Sequence, residues 1–109
     1  MASGWEITPA ELKAWLEEKR PLFLCDVREV HEFDICRIPG SSLFPLSRFE
    51  DVAPDIPPGL PVVTICHHGV RSLNAAAFLK QQLGMKEVWS LAGGVERWAR
   101  EIDPDMPRY

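Results

Sequence analysis

The sequence has no long hydrophobic run, no excess of basic residues and no C-x-x-C pair. Its 109 residues carry 12 basic and 16 acidic side chains, and the net charge of −4 argues against binding to nucleic-acid backbones. No apolar run approaches the ~20 residues needed to cross a bilayer. Residues 1–8 lack the basic and apolar regions of a secretory signal. These absences predict a cytoplasmic protein with no membrane and no nucleic-acid partner.

The cysteines are few and unpaired in sequence. The sequence has three cysteines, Cys25, Cys36 and Cys66. An odd number at wide spacing excludes a disulfide framework and predicts free thiols in a reducing compartment. The length predicts one domain over residues 1–109, with a core large enough to fold without covalent crosslinks. Ten prolines at segment boundaries indicate many short elements.

Short apolar runs alternate with helical patterns along the chain. Strands are predicted at 22–27, 43–46, 61–65 and 87–90, and helices after a Thr8 cap and at 47–52, 72–83 and 95–101, with a surface tail at 103–109. This alternation predicts βαβ units and a mainly parallel sheet with helices on both faces. In such folds the active site lies at the carboxyl ends of the strands, which residues 25–28 and the loop from Cys66 reach.

Cys66 is the strongest candidate for a catalytic residue. It lies where the predicted strand 61–65 ends and a short loop with Gly69 leads into a helix. A tight loop of this kind turns backbone N–H groups inward and forms a cradle for an anion. The N-terminus of the following helix adds partial positive charge there. Both effects favour the thiolate, which is the nucleophilic form of cysteine.

The neighbours of Cys66 in the loop are candidates for substrate binding. Arg71 adds a full positive charge, and His67 and His68 add charge when they are protonated. The indicated chemistry is a thiolate or persulfide that attacks, or receives sulfur from, a small anion. The alternative for a free cysteine is a buried structural role, which suits Cys25 in its apolar run better than it suits Cys66.

Three ordered motifs resemble those of the rhodanese-like sulfurtransferase family. C-H-H-G-V-R-S at 66–72 is similar to that family's active-site loop, which begins with the catalytic cysteine. D-V-R-E at 26–29, followed by E-F-D-I-C-R-I-P-G-S at 32–41, is similar to its first signature. L-A-G-G-V-E-R-W at 91–98 is similar to its C-terminal signature. The resemblance therefore covers nearly the whole chain.

The resemblance implies an α/β fold with a central, mainly parallel five-stranded sheet flanked by helices on both faces. It implies a sulfurtransferase in which Cys66 takes sulfane sulfur from a donor such as thiosulfate as a persulfide. The acceptor would be cyanide or a thiol, and no metal or organic cofactor would be needed. The residues expected to bind substrate are His67, His68, Gly69, Val70, Arg71, Ser72 and Arg28.

The sequence departs from the family pattern just before Ile-Pro-Gly. The family often has Gly-His there, and this chain has Cys36-Arg37. Cys36 either resolves a Cys66 persulfide as a disulfide or is a packed or surface cysteine without a redox role, and the second alternative is the simpler one. The loop also lacks a lysine or a second arginine beside Cys66, which leaves the preferred sulfur donor open.

Several charged residues and one glycine pair also have structural alternatives. Asp26 and Arg28 either line the cysteine pocket or form an ion pair at the strand edge, and for Asp26 the ion pair is favoured. Arg71 either contacts substrate or braces the loop. Gly93-Gly94 is predicted to be a turn and helix start, because the pair does not extend to G-x-G-x-x-G.

Three functions follow from these residues. The first is an active sulfurtransferase. The second is a phosphatase of the cysteine–arginine type, which is disfavoured because only four residues separate Cys66 from Arg71, one fewer than in those enzymes. The third is a persulfide carrier with a sulfur-relay partner. Similar domains are fused to enzymes that activate sulfur-carrier proteins for cofactor or tRNA thiolation, and residues 101–109 resemble the ends of such domains.

Overall fold

The computed structural model describes residues 4–109 and contains a five-stranded sheet in which every neighbouring pair of strands is parallel. In spatial order the strands are β1 (Glu6–Ile7), β5 (Val88–Leu91), β4 (Val62–Ile65), β2 (Phe23–Asp26) and β3 (Ser42–Leu43). The helices are α1 (Pro9–Glu17), α2 (Val30–Ile35), α3 (Phe49–Val52), α4 (Val70–Gln82) and α5 (Gly94–Glu101). The predicted α/β fold with a five-stranded parallel sheet is confirmed. No helix in the described range is long and apolar enough to span a bilayer.

Helices pack on both faces of the sheet. One core cluster contains Leu12 of α1, Trp98 of α5 and Leu24 of β2. The other contains Leu79 of α4 and Cys25 of β2. Successive side chains of a strand point to opposite faces, which places Leu24 and Cys25 in different clusters. All four residues of β4 are buried, as the continuous apolar run at 61–65 predicted.

The first helix begins where its sequence predicts. The Thr8 side chain accepts a hydrogen bond from the Glu11 N–H at 3.1 Å, and the Glu11 carboxylate accepts one from the Thr8 N–H at 2.8 Å. This reciprocal capping box, with Pro9 at the first helical position, confirms the predicted start. The fourth helix begins at Val70, two residues before the predicted start at Ser72.

Several segments differ from the prediction. The strand predicted at 43–46 is limited to Ser42–Leu43, and the helix predicted at 47–52 is a 3₁₀ turn at Leu46–Arg48 followed by α3. β1 was missed, because a strand of two residues is too short to show an alternating pattern. The tail was predicted to lie on the surface, but Met106 is buried in the same core cluster as Trp98. A single apolar residue among prolines and charges carries no periodic signal, so its burial depends on tertiary packing.

The strand order determines where the site forms. β4 lies between β2 and β5, so the carboxyl ends of these three strands are neighbours. The segments that leave this edge carry Arg28 after β2, Cys66 after β4 and Gly93-Gly94 after β5. All three motifs of the sequence therefore meet at one end of the sheet, where parallel α/β folds place their ligands.

Candidate active site

The loop after β4 turns sharply from strand to helix. It spans residues 66–69, and α4 begins at the next residue, Val70. Gly69 has a φ of 104°, a left-handed conformation that favours glycine. A Cβ on Gly69 would also lie 3.0 Å from the Gly93 nitrogen, so the loop packs closely on the segment after β5. The left-handed φ therefore favours glycine at 69, and the close contact with Gly93 leaves little room for a side chain.

The loop carbonyls are held by the N-terminus of α5. The Cys66 carbonyl accepts a hydrogen bond from the Val95 N–H at 2.9 Å, and the His67 carbonyl accepts one from the Glu96 N–H at 3.1 Å. These N–H groups lie in the first turn of the helix and have no partner within it. A Cβ on Gly94 would lie 2.3 Å from the Cys66 carbonyl oxygen, so only glycine allows this approach. Because these carbonyls face α5, the N–H groups of the same peptides point away from α5.

The sulfur of Cys66 is enclosed by hydrogen-bonding groups. Cys66 is 1% exposed, and its Sγ accepts a hydrogen bond from the Gly69 N–H at 3.0 Å. Ser72 Oγ lies 3.3 Å from Sγ, and Ser90 Oγ lies 2.7 Å from Ser72 Oγ. Thr64 Oγ1 donates to the Ser72 carbonyl at 2.7 Å. An N–H group and a hydroxyl at such distances stabilise an anionic sulfur.

Arg71 ties the loop to α2. Its two terminal nitrogens donate to the two carboxylate oxygens of Glu32, each at 2.7 Å. The Arg71 guanidinium holds the pKa of Glu32 at about 2, well below its ordinary value. Sequence reasoning missed Glu32. The available signal was the E-x-x-E spacing from Glu29, whose N–H donates to the Glu32 carboxylate at 3.0 Å.

Arg28 is fully buried and engaged by protein groups. Its Nε and Nη2 donate to the Asp26 carboxylate at 2.9 and 2.7 Å. Further donations reach the carbonyls of Cys36 at 2.6 Å and Glu32 at 3.3 Å, and the hydroxyl of Tyr109 at 3.0 Å. This geometry favours the ion pair with Asp26 over a contact with substrate, because such a contact would require one of these bonds to break.

The last residue of the chain packs on the loop. The Tyr109 ring stacks on the His67 ring with centroids 3.9 Å apart, and His67 stacks on His68 at the same separation. The Tyr109 hydroxyl donates to Glu32 at 3.0 Å, and burial raises the Tyr109 pKa to about 12. Burial and the neighbouring His68 lower the pKa of His67, so His67 is predominantly neutral at neutral pH. Nothing in the sequence pattern of the tail predicted these contacts.

Three attachments place Tyr109 over the loop. Met106 is buried in the core, and Arg108 forms an ion pair with Glu96 of α5. Tyr109 then reaches both Arg28 and Glu32 through its hydroxyl. The tail therefore connects α5, α2 and the loop after β4.

The three cysteines have different surroundings. Cys25 is fully buried within β2, and burial raises the pKa of its thiol. Cys36 packs in the core cluster of Trp98, and its Sγ lies 3.7 Å from an Arg28 nitrogen. Cys66 packs in the opposite cluster, and all three thiols are free. Cys36 and Cys66 therefore belong to different core clusters, and the proposed disulfide between them stays a prediction.

The predicted binding residues fall into two groups. Residues 66–72 share one loop and one helical turn, with His68 exposed and Val70 70% exposed at the rim. Arg28 lies behind this loop, in the buried network with Asp26 and Glu32. Gly93-Gly94 is a turn and helix start, as predicted, and it also supports the loop.

The fold and this loop define a class of α/β domain in which the turn between a parallel strand and its helix holds one cysteine. The Rhodanese-like domain family matches residues 8–101. The chain belongs to this family, and the resemblance of the three motifs is confirmed.

The similar proteins include enzymes of sulfur transfer. The probable adenylyltransferase/sulfurtransferase MoeZ of Mycobacterium tuberculosis is 40% identical over 111 residues, which cover 99% of this chain and 28% of that protein. The adenylyltransferase and sulfurtransferase MOCS3 of Xenopus laevis is 34% identical over 118 residues, which cover 91% of this chain and 26% of that protein. The chain thus spans less than a third of the length of these relatives. A rhodanese-related protein from Thermoplasma volcanium superposes with a TM-score of 0.81 at 28% identity, covering 90% of this chain and 93% of that one.

The first prediction concerns Gly94. Gly94→Ala should destabilise the domain by roughly 2–3 kcal/mol, because a Cβ strains the left-handed backbone and displaces the loop. Urea unfolding measures the loss. Gly84→Ala is the matched control, since Gly84 has a similar φ of 65° and nothing within 4 Å of an added Cβ. Equal losses in the two variants would contradict the close approach of the loop to Gly94.

The second prediction concerns pH. The pKa of Glu32 is lowered in the folded chain, so its pair with Arg71 contributes its full stabilisation at pH values above the ordinary pKa of a glutamate. This contribution is lost as the pH falls from about 4.5 toward about 2. Glu32→Gln should therefore cost about 1–3 kcal/mol at neutral pH and progressively less on acidification, measured as unfolding free energy against pH.

Glu101→Gln is the control for the effect of Glu32. Glu101 pairs with Arg97 at 2.7 Å, but both side chains are about a third exposed, at 38% and 34%. An exposed pair of this kind contributes about 0.5 kcal/mol. If Glu32→Gln cost no more than Glu101→Gln, or if its cost grew on acidification, the assigned role of the Glu32–Arg71 pair would be wrong.

Proposed function

We propose that this domain, acting as one unit over residues 1–109, is a sulfurtransferase that carries sulfane sulfur as a persulfide on Cys66. The observation that carries the proposal is the position of the Cys66 sulfur, 3.0 Å from the Gly69 N–H and beside the N-terminus of α4. Membership of the rhodanese-like family and the sulfurtransferase relatives support sulfur transfer as the general activity.

In the first step the Cys66 thiolate attacks the outer sulfur of the donor. A sulfur–sulfur bond forms on Cys66, and the donor's own bond to that sulfur breaks. The leaving group departs with the electron pair, as sulfite when the donor is thiosulfate. The Gly69 N–H and the first-turn N–H groups of α4 stabilise the negative charge around the persulfide.

In the second step a thiolate or cyanide attacks the outer sulfur of the persulfide. The new bond forms on the acceptor, and the Cys66 thiolate leaves with its electron pair. Division of the transfer into two displacements through a covalent intermediate lowers each barrier. Atoms and electrons balance without a metal or an external oxidant.

We assign the other predicted residues by their positions. The wall and rim of the cradle are formed by His67, His68, Gly69 and Val70. The Ser72 hydroxyl contacts the sulfur of Cys66. Arg71 holds the loop against Glu32 and keeps part of its guanidinium at the surface, where it is 35% exposed. Arg28 acts as a positioning residue behind the loop.

One observation favours a persulfide carrier over an enzyme that turns over free thiosulfate. Both arginines of the site are already paired, Arg28 with Asp26 and Arg71 with Glu32, each at 2.7 Å. A small dianion such as thiosulfate therefore meets no uncompensated guanidinium in the cradle. A persulfide on a partner protein needs less local charge, because the protein contact supplies binding energy. The MoeZ and MOCS3 relatives support a sulfur-relay partner of this kind.

A cysteine-dependent phosphatase remains the weaker alternative. The loop from Cys66 to Arg71 contains four intervening residues, and Arg71 is turned toward Glu32. A phosphate would need these N–H groups and this guanidinium for its own oxygens. Absence of hydrolysis of an aryl phosphate, together with thiocyanate formation from thiosulfate and cyanide, separates the two activities.

The third prediction concerns the nucleophile. Cys66→Ser should lower sulfur transfer from thiosulfate to cyanide by roughly 10³-fold or more, because the persulfide cannot form. Cys25→Ala and Cys36→Ala are the controls and should retain activity, since Cys25 lies within β2 and Cys36 follows α2, outside the loop that begins at Cys66. Full activity of Cys66→Ser would overturn the proposed function.

The fourth prediction separates the carrier from the thiosulfate enzyme. Intact-mass measurement should show rapid loading of one sulfur atom on Cys66 from a cysteine desulfurase, and loading from thiosulfate at least about tenfold slower at equal donor concentration. The paired guanidiniums are the physical reason. Equal or faster loading from thiosulfate would show that the cradle binds the small anion directly and would reject the carrier assignment.

A further inference from the structure

Three buried side chains, Ser90, Ser72 and Cys66, form a hydrogen-bonded series that leads from the central sheet to the reacting sulfur, and this series is called the hydroxyl chain below. Ser90 of β5 is 0% exposed, and its hydroxyl lies 2.7 Å from that of Ser72. Ser72 is also fully buried, and its hydroxyl lies 3.3 Å from Cys66 Sγ. Ser90 is outside the loop, and neither the sequence motifs nor the proposed sulfur-transfer steps assign it a role.

The number of protons in the hydroxyl chain depends on whether Cys66 is a thiol or a thiolate. With a thiol, the three groups hold three protons, but only two contacts join them, Sγ to Ser72 Oγ and Ser72 Oγ to Ser90 Oγ. Within residues 4–109 neither serine hydroxyl has another hydrogen-bond acceptor. One proton of the thiol form is therefore left without an acceptor.

The thiolate removes this excess. Ser90 then donates to Ser72 Oγ, and Ser72 donates to the sulfur, so both hydroxyl protons have an acceptor. The same directions suit the persulfide, because its inner sulfur also carries no proton. Hydrogen bonds in a buried chain polarise one another, and a donation from Ser90 strengthens the donation from Ser72.

We infer that Ser90 is a positioning residue that directs the Ser72 hydroxyl toward Cys66 and so favours the deprotonated sulfur. The inference rests on the proposed function only in taking Cys66 as the reacting thiolate. It assigns a role to a strand residue 18 positions from Ser72 in the chain. Ser90 itself does not touch the sulfur, so any effect it has on Cys66 passes through Ser72.

Several titratable groups surround the hydroxyls of Ser72 and Ser90 and the sulfur of Cys66. His67 and His68 are in the loop, Arg71 is at the start of α4, and Glu32 is on α2. Glu96 of α5 and Tyr109 of the tail face His67. Neither serine is one of these groups, so a substitution of Ser90 removes no ionisable side chain from the site.

The test follows the ultraviolet absorbance of the thiolate against pH, after subtraction of the Cys66→Ser variant. Ser72→Ala should raise the pH midpoint by about one unit, because the thiolate loses a hydrogen bond to a charged group. Ser90→Ala should raise it by about half a unit, roughly threefold in proton affinity. The double variant should match Ser72→Ala alone, since Ser90 acts through Ser72.

The controls separate this role from a general loss of packing. Thr64→Val removes another buried hydroxyl, one that bonds to the Ser72 carbonyl but to neither the sulfur nor the Ser72 hydroxyl, and should shift the midpoint less than Ser90→Ala does. Ser90→Thr keeps the hydroxyl and should keep the wild-type midpoint. Thermal unfolding by circular dichroism reports the stability of each variant, and Ser90→Thr provides the comparison if Ser90→Ala does not fold.

Two results would overturn the inference. One is an unchanged midpoint in folded Ser90→Ala, and the other is an equal effect of Ser90→Ala with and without Ser72. Either result leaves the proposed function intact, because the wild-type thiolate signal is still assigned to Cys66. Absence of any thiolate signal that depends on Cys66 would instead remove the proposed function itself.

Discussion

The carbonyl oxygens of Cys66 and His67 accept the N–H groups of Val95 and Glu96, at 2.9 and 3.1 Å. This contact uses the unpartnered donors at the start of α5 and leaves the N–H groups of the loop peptides free on the other side. It is possible only because Gly94 has no side chain between the two segments. The anion cradle therefore depends on a helix that contributes no side chain to the sulfur. The third sequence motif, around Gly94, is a structural support for the loop from Cys66.

A second layer of contacts fixes the loop from the side of β2. Arg28 joins Asp26 at the strand end to the Cys36 carbonyl at 2.6 Å and to the Tyr109 hydroxyl at 3.0 Å. Glu32 accepts from the same tyrosine and from Arg71. The two arginines thus connect β2, α2, the loop and the tail through two carboxylates and one phenol. Removal of Asp26 would leave the fully buried charge of Arg28 without its carboxylate partner, which is strongly destabilising in a protein interior.

The sequence predicted the parts of the site that depend on local chemistry. The strand before Cys66, the glycine turn and the following helix all lie within one short segment, and their pattern predicted the loop that begins at Cys66. Glu32 reaches Arg71 across 39 positions, and Ser90 reaches Ser72 across 18, so neither contact has a local signature. Tyr109 was missed for the same reason, because its place over His67 depends on the burial of Met106. Hydrophobic patterns with a period of two or 3.6 residues indicate which face of a strand or helix is buried, but they do not indicate which polar groups meet there.

The electrostatics of the cradle follow from main-chain groups more than from side-chain charge. The net charge of the chain is −4, and both arginines of the site are neutralised by carboxylates at 2.7 Å. The lowered pKa of His67 removes a further cation at neutral pH. What faces the sulfur is the Gly69 N–H, the first turn of α4 and the Ser72 hydroxyl. Such donors stabilise an anionic sulfur at short range and attract distant anions weakly. If Cys66 carries a persulfide as proposed, the main-chain donors and the Ser72 hydroxyl would stabilise it without a net positive charge on the domain.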